Sequence, residues 1–344
     1  MVTDKPVFVI AEAGVNHNGD TALALQLCDA AKMAGADAVK FQTFRAEDLV
    51  VRGAPTAEYQ ARQTGDQDQF LMLERLELSE NQHQTIKAHC DEIGIEFFST
   101  PFSVGAVDML LKLGVKRLKL SSGELTHRTL VEHAAATQLP LLISTGMGTM
   151  DEIIEAMAWV NSARGHLRDV VVLHCTSAYP APDDSLNLLA MKSMAKDLKI
   201  ATGYSDHSLG IDAPLAAVAL GAAVIEKHLT LDQKMKGPDH SASLEPDEFV
   251  RMVTAIRRVT AMLGDGVKAP LLEELDTARV ARRSVVAAVD ISAGEVITAE
   301  KLLCRRPATG IAPRDLQILV GQFARTTIVA GSVLQWEQFC QTHP

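Results

Sequence analysis

The amino-acid sequence predicts a (β/α)8 barrel followed by a small β-rich domain. Through residue 265, short apolar runs alternate with amphipathic stretches, which is the pattern of repeated βα units. Glycine recurs where a predicted helix gives way to a strand, as at Gly94 and Gly114, because glycine adopts the left-handed cap conformation without a Cβ penalty. Eight such units within this length fit a closed barrel. A doubly wound sheet is the alternative, but no GxGxxG follows the first strand.

The predicted elements alternate strictly in chain order. The strands are 7–12, 38–43, 95–100, 117–122, 140–145, 170–176, 199–205 and 223–229. The helices lie near 20–34, 80–93, 104–113, 129–137, 150–164, 188–197, 211–220 and 246–263. Two helix starts carry the capping-box pattern, Ser79 with Gln82 and Thr149 with Glu152.

Two segments depart from this alternation. Residues 44–78 separate strand 2 from its helix, and an intervening stretch of that length serves as a lid, as an interface arm, or as a plain surface excursion. Residues 266–282 form a linker to a β-rich domain at 283–344. In that domain we expect a strand over 283–291, a short helix over 298–303 and a second turn-and-strand pair over 328–334. A domain of this size is marginal alone, so we expect it to dock on another surface.

Composition excludes several classes of function. The 344 residues carry a formal net charge of −10, which disfavours nucleic acid and anionic membranes as partners. No basic segment followed by a long apolar run opens the sequence, so we expect neither a signal peptide nor a transmembrane helix. The five cysteines are scattered without a CxxC pair, which indicates reduced thiols and a cytoplasmic protein.

Two histidines mark the ends of the last two predicted strands. His207 and His228 lie one strand–helix–strand step apart. Adjacent parallel strands run about 4.8 Å apart, so side chains leaving their ends can converge on one ion. Neutral imidazole suits divalent transition metals, and we predict a metal-binding pair at the mouth of the barrel. Either histidine taken alone is better explained as an ordinary hydrogen-bonded barrel residue.

Two lysines fall inside predicted strands, where an unpaired ammonium group is costly. Lys40 and Lys119, together with nearby hydroxyls, predict a site for a phosphate group. One alternative is a structural ion pair with Glu12 or Glu124. A second is Schiff-base chemistry, in which a desolvated lysine attacks a carbonyl. The accompanying hydroxyl residues are Ser122, Ser144 and Ser205.

These residues lie in sequence blocks that resemble the sialic acid synthases, a family that makes nonulosonic acids from phosphoenolpyruvate and an N-acylated mannosamine. The resemblance runs from the first strand to the C-terminus. The terminal domain is similar to the antifreeze-like (SAF) domain of that family. The matching blocks are IAEAGVNHNGD, AVKFQT, FFSTPFS, KLSSGE, ISTGM, LHCTSAYPAP, GYSDHSLG, VALGAAVIEKHLTLD, GPDHSASLEP and RRPATGI.

The resemblance implies a role for each matching position. His207 and His228 would hold Mn²⁺, or Mg²⁺ or Co²⁺ in its place, with His207 counted also among the catalytic residues. Glu12 is the candidate for positioning the sugar aldehyde or moving a proton, and Glu124 is the alternative. The residues implied to bind phosphoenolpyruvate are Lys40, Lys119, Ser122, Ser144 and Ser205. Those implied to face the sugar or the reacting centre are Glu12, Gln42, Tyr179 and Asp239, and Thr100 is a further candidate for binding substrate.

The family also implies an assembly and a reaction. It forms a domain-swapped homodimer, in which Arg306 would reach the N-acyl sugar in the partner's barrel. The implied reaction joins phosphoenolpyruvate, N-acetylmannosamine and water, and gives N-acetylneuraminate and phosphate by C–O cleavage.

Departures from the family pattern leave the sugar open. Ser177 and Val280 are Asn and Phe in several bacterial neuraminate synthases, and Ser177 resembles the animal enzymes that use the 6-phosphorylated sugar. GPDHSASLEP and RRPATGIAP occur in similar form in legionaminic acid synthases. An N,N'-diacetyllegionaminate or other nonulosonate synthase and a 9-phosphate synthase are therefore alternatives. A Schiff-base aldolase and a non-catalytic sugar- or ice-binding protein are the competing classes.

Overall fold

Eight parallel strands form a nearly closed barrel in the N-terminal part of the chain. The computed structural model describes residues 6–342, apart from the side chains of Glu58, Tyr59 and Arg62. The strands are β1 (Phe8–Gly14), β2 (Ala38–Thr43), β3 (Glu96–Pro101), β4 (Leu118–Leu120), β5 (Leu141–Ser144), β6 (Val170–His174), β7 (Ala201–Asp206) and β8 (Val224–His228). Hydrogen-bonded neighbours follow the order β3-β2-β1-β8-β7-β6-β5-β4, and β3 also lies beside β4. The predicted fold class is confirmed.

Helices connect successive strands and surround the barrel. Both predicted capping boxes are present: Gln82 N donates to Ser79 Oγ at 3.3 Å, and Glu152 N donates to Thr149 Oγ1 at 3.3 Å. The helices of this unit are α1 (Thr21–Met33), α2 (Ala46–Leu49), α3 (Glu58–Thr64), α4 (Gln69–Glu74), α5 (Glu80–Ile93), α6 (Val104–Leu113), α7 (Arg128–Ala136), α8 (Met150–Arg164), α9 (Ala190–Leu198), α10 (Asp212–Ala219) and α11 (Pro246–Leu263).

The barrel interior changes from apolar to polar along its strands. Side chains two positions apart on a strand share a face. The residue two positions after each inward-facing apolar residue therefore also faces inward. The apolar plug of the barrel is the buried cluster Ile10, Ala38, Phe98, Leu142, Leu173 and Val224. The residues two positions later on these strands include Glu12, Lys40, Thr100, Ser144 and Glu226. Polar groups therefore collect inside the barrel where its strands end.

The segment between β2 and α5 is more ordered than its polar composition suggests. It contains α2, α3 and α4, which have four to seven residues each. Helices this short do not produce a clear helical period in the sequence. Its apolar side packs in a separate buried cluster that includes Phe44, Met72 and Leu76 together with Val15. This segment is therefore not a plain surface excursion.

The second unit begins at Gly266, after the first unit ends at Asp265. Its regular elements are α12 (Leu275–Ala281), β9 (Ser284–Ala287), β10 (Leu302–Arg305), α13 (Leu316–Leu319), β11 (Phe323–Ala324) and β12 (Phe339–Cys340), with β9–β10 and β11–β12 paired antiparallel. It has its own apolar core, which includes Val285, Ile297 and Leu334.

The predicted linker, residues 266–282, includes α12. Two other local predictions for this unit were wrong. The predicted helix over 298–303 is a single 3-10 turn, Ala299–Lys301, that leads into β10. Residues 328–334 form only isolated bridges, Ile291 with Ile328 and Val286 with Val333. Turns every few residues interrupt the ladders, so alternation in the sequence overstated the strand lengths.

Across residues 6–342, no helix is long and apolar enough to cross a membrane.

Candidate active site

A cavity of about 470 Å³ opens at the C-terminal ends of the barrel strands. Its polar lining comes from the strand ends, and an apolar wall comes from the segment between β2 and α5 and from the loops after β1 and β3. The polar residues include Glu12, Lys40, Gln42, Thr100, Lys119, Ser122, Ser144, Ser177, Tyr179, Ser205, His207, Glu226, His228 and Asp239. The apolar wall is Val15, Met72, Leu73, Leu76 and Phe102.

The two lysines are buried and share one carboxylate. Lys119 Nζ lies 3.0 Å from Glu226 Oε1, and Lys40 Nζ lies 3.8 Å from the same oxygen. Lys40 also pairs with Glu12 Oε2 at 2.5 Å and donates to Thr100 Oγ1 at 2.8 Å. Buried charges persist only where such partners offset their lost hydration. This group of two lysines and two glutamates is the lysine floor of the cavity.

The pKa values of the two glutamates in the lysine floor are shifted in opposite directions. Burial raises the pKa of Glu12 to about 7, outweighing Lys40, and the neighbouring charge of Glu226 adds to the rise. Burial alone would also raise the pKa of Glu226, but Lys119 and Lys40 together outweigh it and lower the pKa to about 2. Glu226 is therefore the permanent counter-charge, whereas Glu12 titrates near neutrality, as a proton-transfer group requires.

Two neutral imidazoles face each other beside the lysine floor. The ring centroids of His207 and His228 are 5.5 Å apart, and the Tyr179 ring lies 4.1 Å from that of His207. Burial lowers the pKa of both histidines, and it does so strongly for His228. His207 Nδ1 donates to the Thr176 carbonyl oxygen at 2.7 Å, which leaves Nε2 with a free lone pair.

The histidine pair has the character of an incomplete ligand set. His228 Nδ1 is buried and has no hydrogen-bond partner among residues 6–342, and it lies 3.8 Å from Asp239 Oδ2. No group of three or more His, Cys, Asp or Glu residues suited to an ion occurs in the described part of the chain. Two imidazoles are one protein ligand short of the three that catalytic zinc sites usually supply, so more of the shell would be left to water or substrate.

Hydroxyl and amide donors surround the other side of the cavity. Ser144 Oγ is buried without a hydrogen-bond partner in the described residues, so it is available to a bound molecule. Gly146 N donates to Ser122 Oγ at 2.9 Å and lies 3.1 Å from Cys175 Sγ. A Cβ at Gly146 would come within 2.9 Å of Ser177 Oγ, Cys175 Sγ and Ser122 Oγ, so a larger residue there would displace these side chains.

Within the first unit, the structure brings together every predicted site residue except Glu124. Glu124 does not line the cavity, and its carboxylate accepts from His127 Nδ1 at 2.6 Å. Arg306 lies directly after β10 in the second unit. The ion-pair alternative holds for Lys40 with Glu12, but Lys119 pairs with Glu226 rather than with Glu124.

Glu226 is the main residue that sequence reasoning missed. It lies two positions before His228 on β8, so strand alternation puts both on the inner face. That signal was available in the sequence.

Comparison with known proteins agrees with this arrangement. The NeuB family model matches residues 27–268, and the SAF domain model matches residues 282–339. An N,N'-diacetyllegionaminic acid synthase of Legionella pneumophila is 46% identical, with 96% of this chain and 94% of that protein covered. The pseudaminic acid synthase of Campylobacter jejuni (serotype O:23/36) is 36% identical over 98% of each chain. The human N-acetylneuraminate-9-phosphate synthase is 35% identical over 94% of this chain and 90% of its own.

Solved structures of similar fold include a sialic acid synthetase and a polysaccharide biosynthesis protein. The N-acetylneuraminic acid (sialic acid) synthetase of Leptospira borgpetersenii is 35% identical, with a TM-score of 0.71 over 79% of this chain and 90% of that chain. The spore coat polysaccharide biosynthesis protein SpsE of Bacillus subtilis is 31% identical, with a TM-score of 0.67 over 99% and 97%. The chain belongs to the NeuB family of nonulosonate synthases, with a barrel that carries the polar cavity and a C-terminal SAF domain.

Proposed function

We propose that this chain condenses phosphoenolpyruvate with an N-acylated mannosamine and releases phosphate. The observation that carries the proposal is the lysine floor lying beside two neutral imidazoles in one cavity. In the proposed reaction, C3 of phosphoenolpyruvate attacks the sugar aldehyde, and positive charge develops at C2. Water adds to C2, and the C2–O bond to phosphate then breaks.

Phosphoenolpyruvate would bind against the lysine floor. Lys40 and Lys119 supply positive charge, and Ser144 Oγ is a buried hydroxyl without a hydrogen-bond partner among the described residues. An anion with several oxygens satisfies these donors better than water does, because charge-assisted hydrogen bonds are stronger. Ser122 and Ser205 are the further hydroxyls within the same lining.

Glu12 is our candidate for the proton donor. The aldehyde oxygen would take up its proton as the new carbon–carbon bond forms. A pKa of about 7 leaves its carboxyl partly protonated near neutrality. A Schiff-base mechanism is less well supported, because the carboxylates of Glu12 and Glu226 overcome burial and raise the pKa of Lys40. A nucleophilic lysine needs the opposite change in its pKa.

His207 and His228 would hold the divalent ion, for which we propose Mn²⁺. The fit rests on neutral rings and on the unpartnered Nδ1 of His228. Such an ion supplies Lewis-acid polarisation of the sugar aldehyde.

The sugar that we propose as preferred is a 2,4-diacetamido mannose derivative. Relatives that are 46% and 42% identical are named N,N'-diacetyllegionaminic acid synthases, and an N,N'-diacetyl product requires two acetamido groups in its precursors. The apolar wall, with Met72, Leu76 and Phe102, suits an additional acetyl methyl group. N-acetylmannosamine and its 6-phosphate are the alternatives.

The second unit would complete the site from a partner subunit. We propose a domain-swapped homodimer in which Arg306 reaches the N-acyl group of the sugar bound in the other barrel. The family resemblance supports this proposal, and the scattered cysteines without a CxxC pair support a cytoplasmic location.

The test is phosphate release from phosphoenolpyruvate with each of the three sugars, with the products identified by mass spectrometry. We expect turnover only with both substrates and Mn²⁺, the highest kcat/KM with the diacetamido sugar, and no turnover with excess chelator. Lys119→Met should abolish turnover, whereas Lys116→Met, an exposed position three residues earlier, should not. Activity that survives chelator, or a pyruvate adduct trapped by borohydride, would refute the proposal in favour of the aldolase.

A further inference from the structure

The sequence Asn16-His17-Asn18 follows β1 and has no part in the proposed chemistry. We propose that Asn16 and Ser243 are positioning residues, which hold Asp239 at the cavity wall beside His228. This inference rests on the proposed function in so far as Asp239 contacts the sugar. The segment that they hold is the β8–α11 loop, residues 229–245.

Asn16 and Ser243 form a continuous hydrogen-bond chain to the backbone of Asp239. Asn16 Nδ2 donates to the Leu229 carbonyl oxygen and to Ser243 Oγ, each at 2.9 Å. Ser243 Oγ in turn donates to the Asp239 carbonyl oxygen at 2.7 Å. A carbonyl oxygen only accepts, so the bond to Leu229 fixes which end of the Asn16 amide faces the loop. We call Asn16 and Ser243 the loop clamp.

The loop clamp acts at the part of the loop that the strand ladder does not hold. At its base, the loop is closed by Leu244 N donating to the His228 carbonyl oxygen and by Thr230 N donating to that of Leu244, both at 2.9 Å. Asp239 lies nearer the middle of the loop, where its carbonyl oxygen also accepts from Ala242 N at 3.1 Å within the turn that follows it. The clamp therefore provides a separate anchor for the backbone of the residue whose carboxylate lines the cavity.

A second contact ties the same loop to the same turn. His240 Nε2 lies 3.2 Å from Asn18 Oδ1, and His240 Nδ1 lies 2.7 Å from Thr230 Oγ1. Gly237 lets the two segments approach, because a Cβ there would come within 2.8 Å of Asn18 Oδ1. Two of the three residues in the Asn16-His17-Asn18 turn thus contact the loop that carries Asp239.

Burial makes the loop clamp sensitive to the loss of one hydroxyl. Asn16 and Ser243 are 2% and 1% exposed, so water cannot replace a deleted partner without entering the protein. Removing the Ser243 hydroxyl leaves one Asn16 donor unpaired and frees the Asp239 carbonyl oxygen from its side-chain donor. The ion pairs and hydrogen bonds of the lysine floor do not include Asp239, which acts on Lys40 only through its charge, so the sugar should respond far more than phosphoenolpyruvate.

The first experiment measures the loop itself, by hydrogen–deuterium exchange of the wild type and of Ser243→Ala. We expect exchange in peptides spanning 237–244 to accelerate about tenfold, and exchange in peptides from β2 and β4 to stay unchanged. Thr137→Ala is the matched control, because Thr137 Oγ1 also bridges two backbone groups, Ala134 O at 2.7 Å and Leu139 N at 3.3 Å. Unchanged exchange over 237–244 overturns the loop clamp. Asn16→Ala breaks the same link from the other side, and it serves if Ser243→Ala does not fold.

The second experiment is a double-mutant cycle on steady-state kinetics. We expect Ser243→Ala to raise the sugar KM about tenfold and to leave the phosphoenolpyruvate KM unchanged. In the double variant, Ser243→Ala should not raise the sugar KM beyond the value for Asp239→Ala alone. The reason is that both changes remove the same interaction, that of Asp239 with the sugar. Additive effects, or equal changes in both KM values, overturn the positioning role.

The two experiments separate failure of this inference from failure of the proposed function. Hydrogen exchange needs no substrate, so it tests the loop clamp even if no sugar is turned over. Wild-type turnover with an additive cycle refutes the positioning role alone. Absence of wild-type turnover with every sugar refutes the proposed function, and the exchange result still decides whether the clamp holds the loop.

Discussion

Replacing Glu12 with glutamine should stabilise the barrel at alkaline pH. Glutamine has the shape of a protonated glutamate and never carries a charge. The pKa of Glu12 rises from 4.5 to about 7 on folding, so ionising this carboxyl costs more in the barrel than in the unfolded chain. The contribution of Glu12 to stability is therefore fully present below pH 4.5 and is lost as the pH rises to about 7. At about 1.4 kcal/mol per pH unit, the loss amounts to ~3 kcal/mol.

The measurement is urea unfolding of the wild type and Glu12→Gln at pH 5, 6, 7 and 8, with chelator present. Trp159 on α8 reports the barrel, and a Trp336→Phe background removes the fluorescence of the second unit. We expect the variant to exceed the wild type by ~3 kcal/mol at pH 8 and the two to converge towards pH 5. Glu92→Gln, an exposed position on α5, controls for the amide substitution itself.

The opposite result at pH 8 would refute this reasoning about Glu12. If Glu12→Gln is less stable than the wild type there, the ion pair with Lys40 outweighs burial and Glu12 stays ionised. Its assignment as a proton-transfer group near neutrality would then fall with it. Lys40 does not lose every partner in the variant, because it still contacts Thr100 Oγ1 at 2.8 Å and lies 3.8 Å from Glu226.

Three further predictions concern binding and turnover. Gly146→Ala should raise the phosphoenolpyruvate KM by roughly tenfold, because its Cβ displaces Ser122 and Ser177, and an unchanged KM would contradict the proposed place of the phosphate. His228→Ala should abolish phosphate release while the circular dichroism spectrum stays native, and full activity would remove the metal-site hypothesis. Arg306→Ala should raise the sugar KM far more than the phosphoenolpyruvate KM in steady-state assays, and equal effects would assign Arg306 to another role.

The order and approximate limits of the barrel strands and of the longer helices between them were predictable because their signals are local, whereas α2, α3 and α4 are too short to give such a signal. Each strand is a short apolar run, and helix starts such as Ser79 and Thr149 carry their own capping residues. Reliance on local signals also explains the errors in the second unit. The sequence at Ala299–Lys301 contains no signal that distinguishes a single 3-10 turn from a short α-helix.

The candidate site was predictable only as a set of inward strand ends. Strand alternation identifies Lys40, Lys119 and His228, and it identifies Glu226 once β8 is placed. The pairing of Lys119 with Glu226 could not be predicted, because it crosses the closed barrel between residues 107 positions apart. Glu124 failed for a related reason: the chain turns at Ser122–Glu124, and its carboxylate meets His127 one turn later.

The apolar plug has a consequence for the order of events in the barrel. Its side chains fill the lower end, so within the described part of the barrel the lysine floor can be reached only through the upper opening. In the proposed reaction, phosphoenolpyruvate would therefore enter before the larger sugar occupies that opening. Phosphate would leave after the sugar product, so inorganic phosphate should compete with phosphoenolpyruvate for the same free form of the protein.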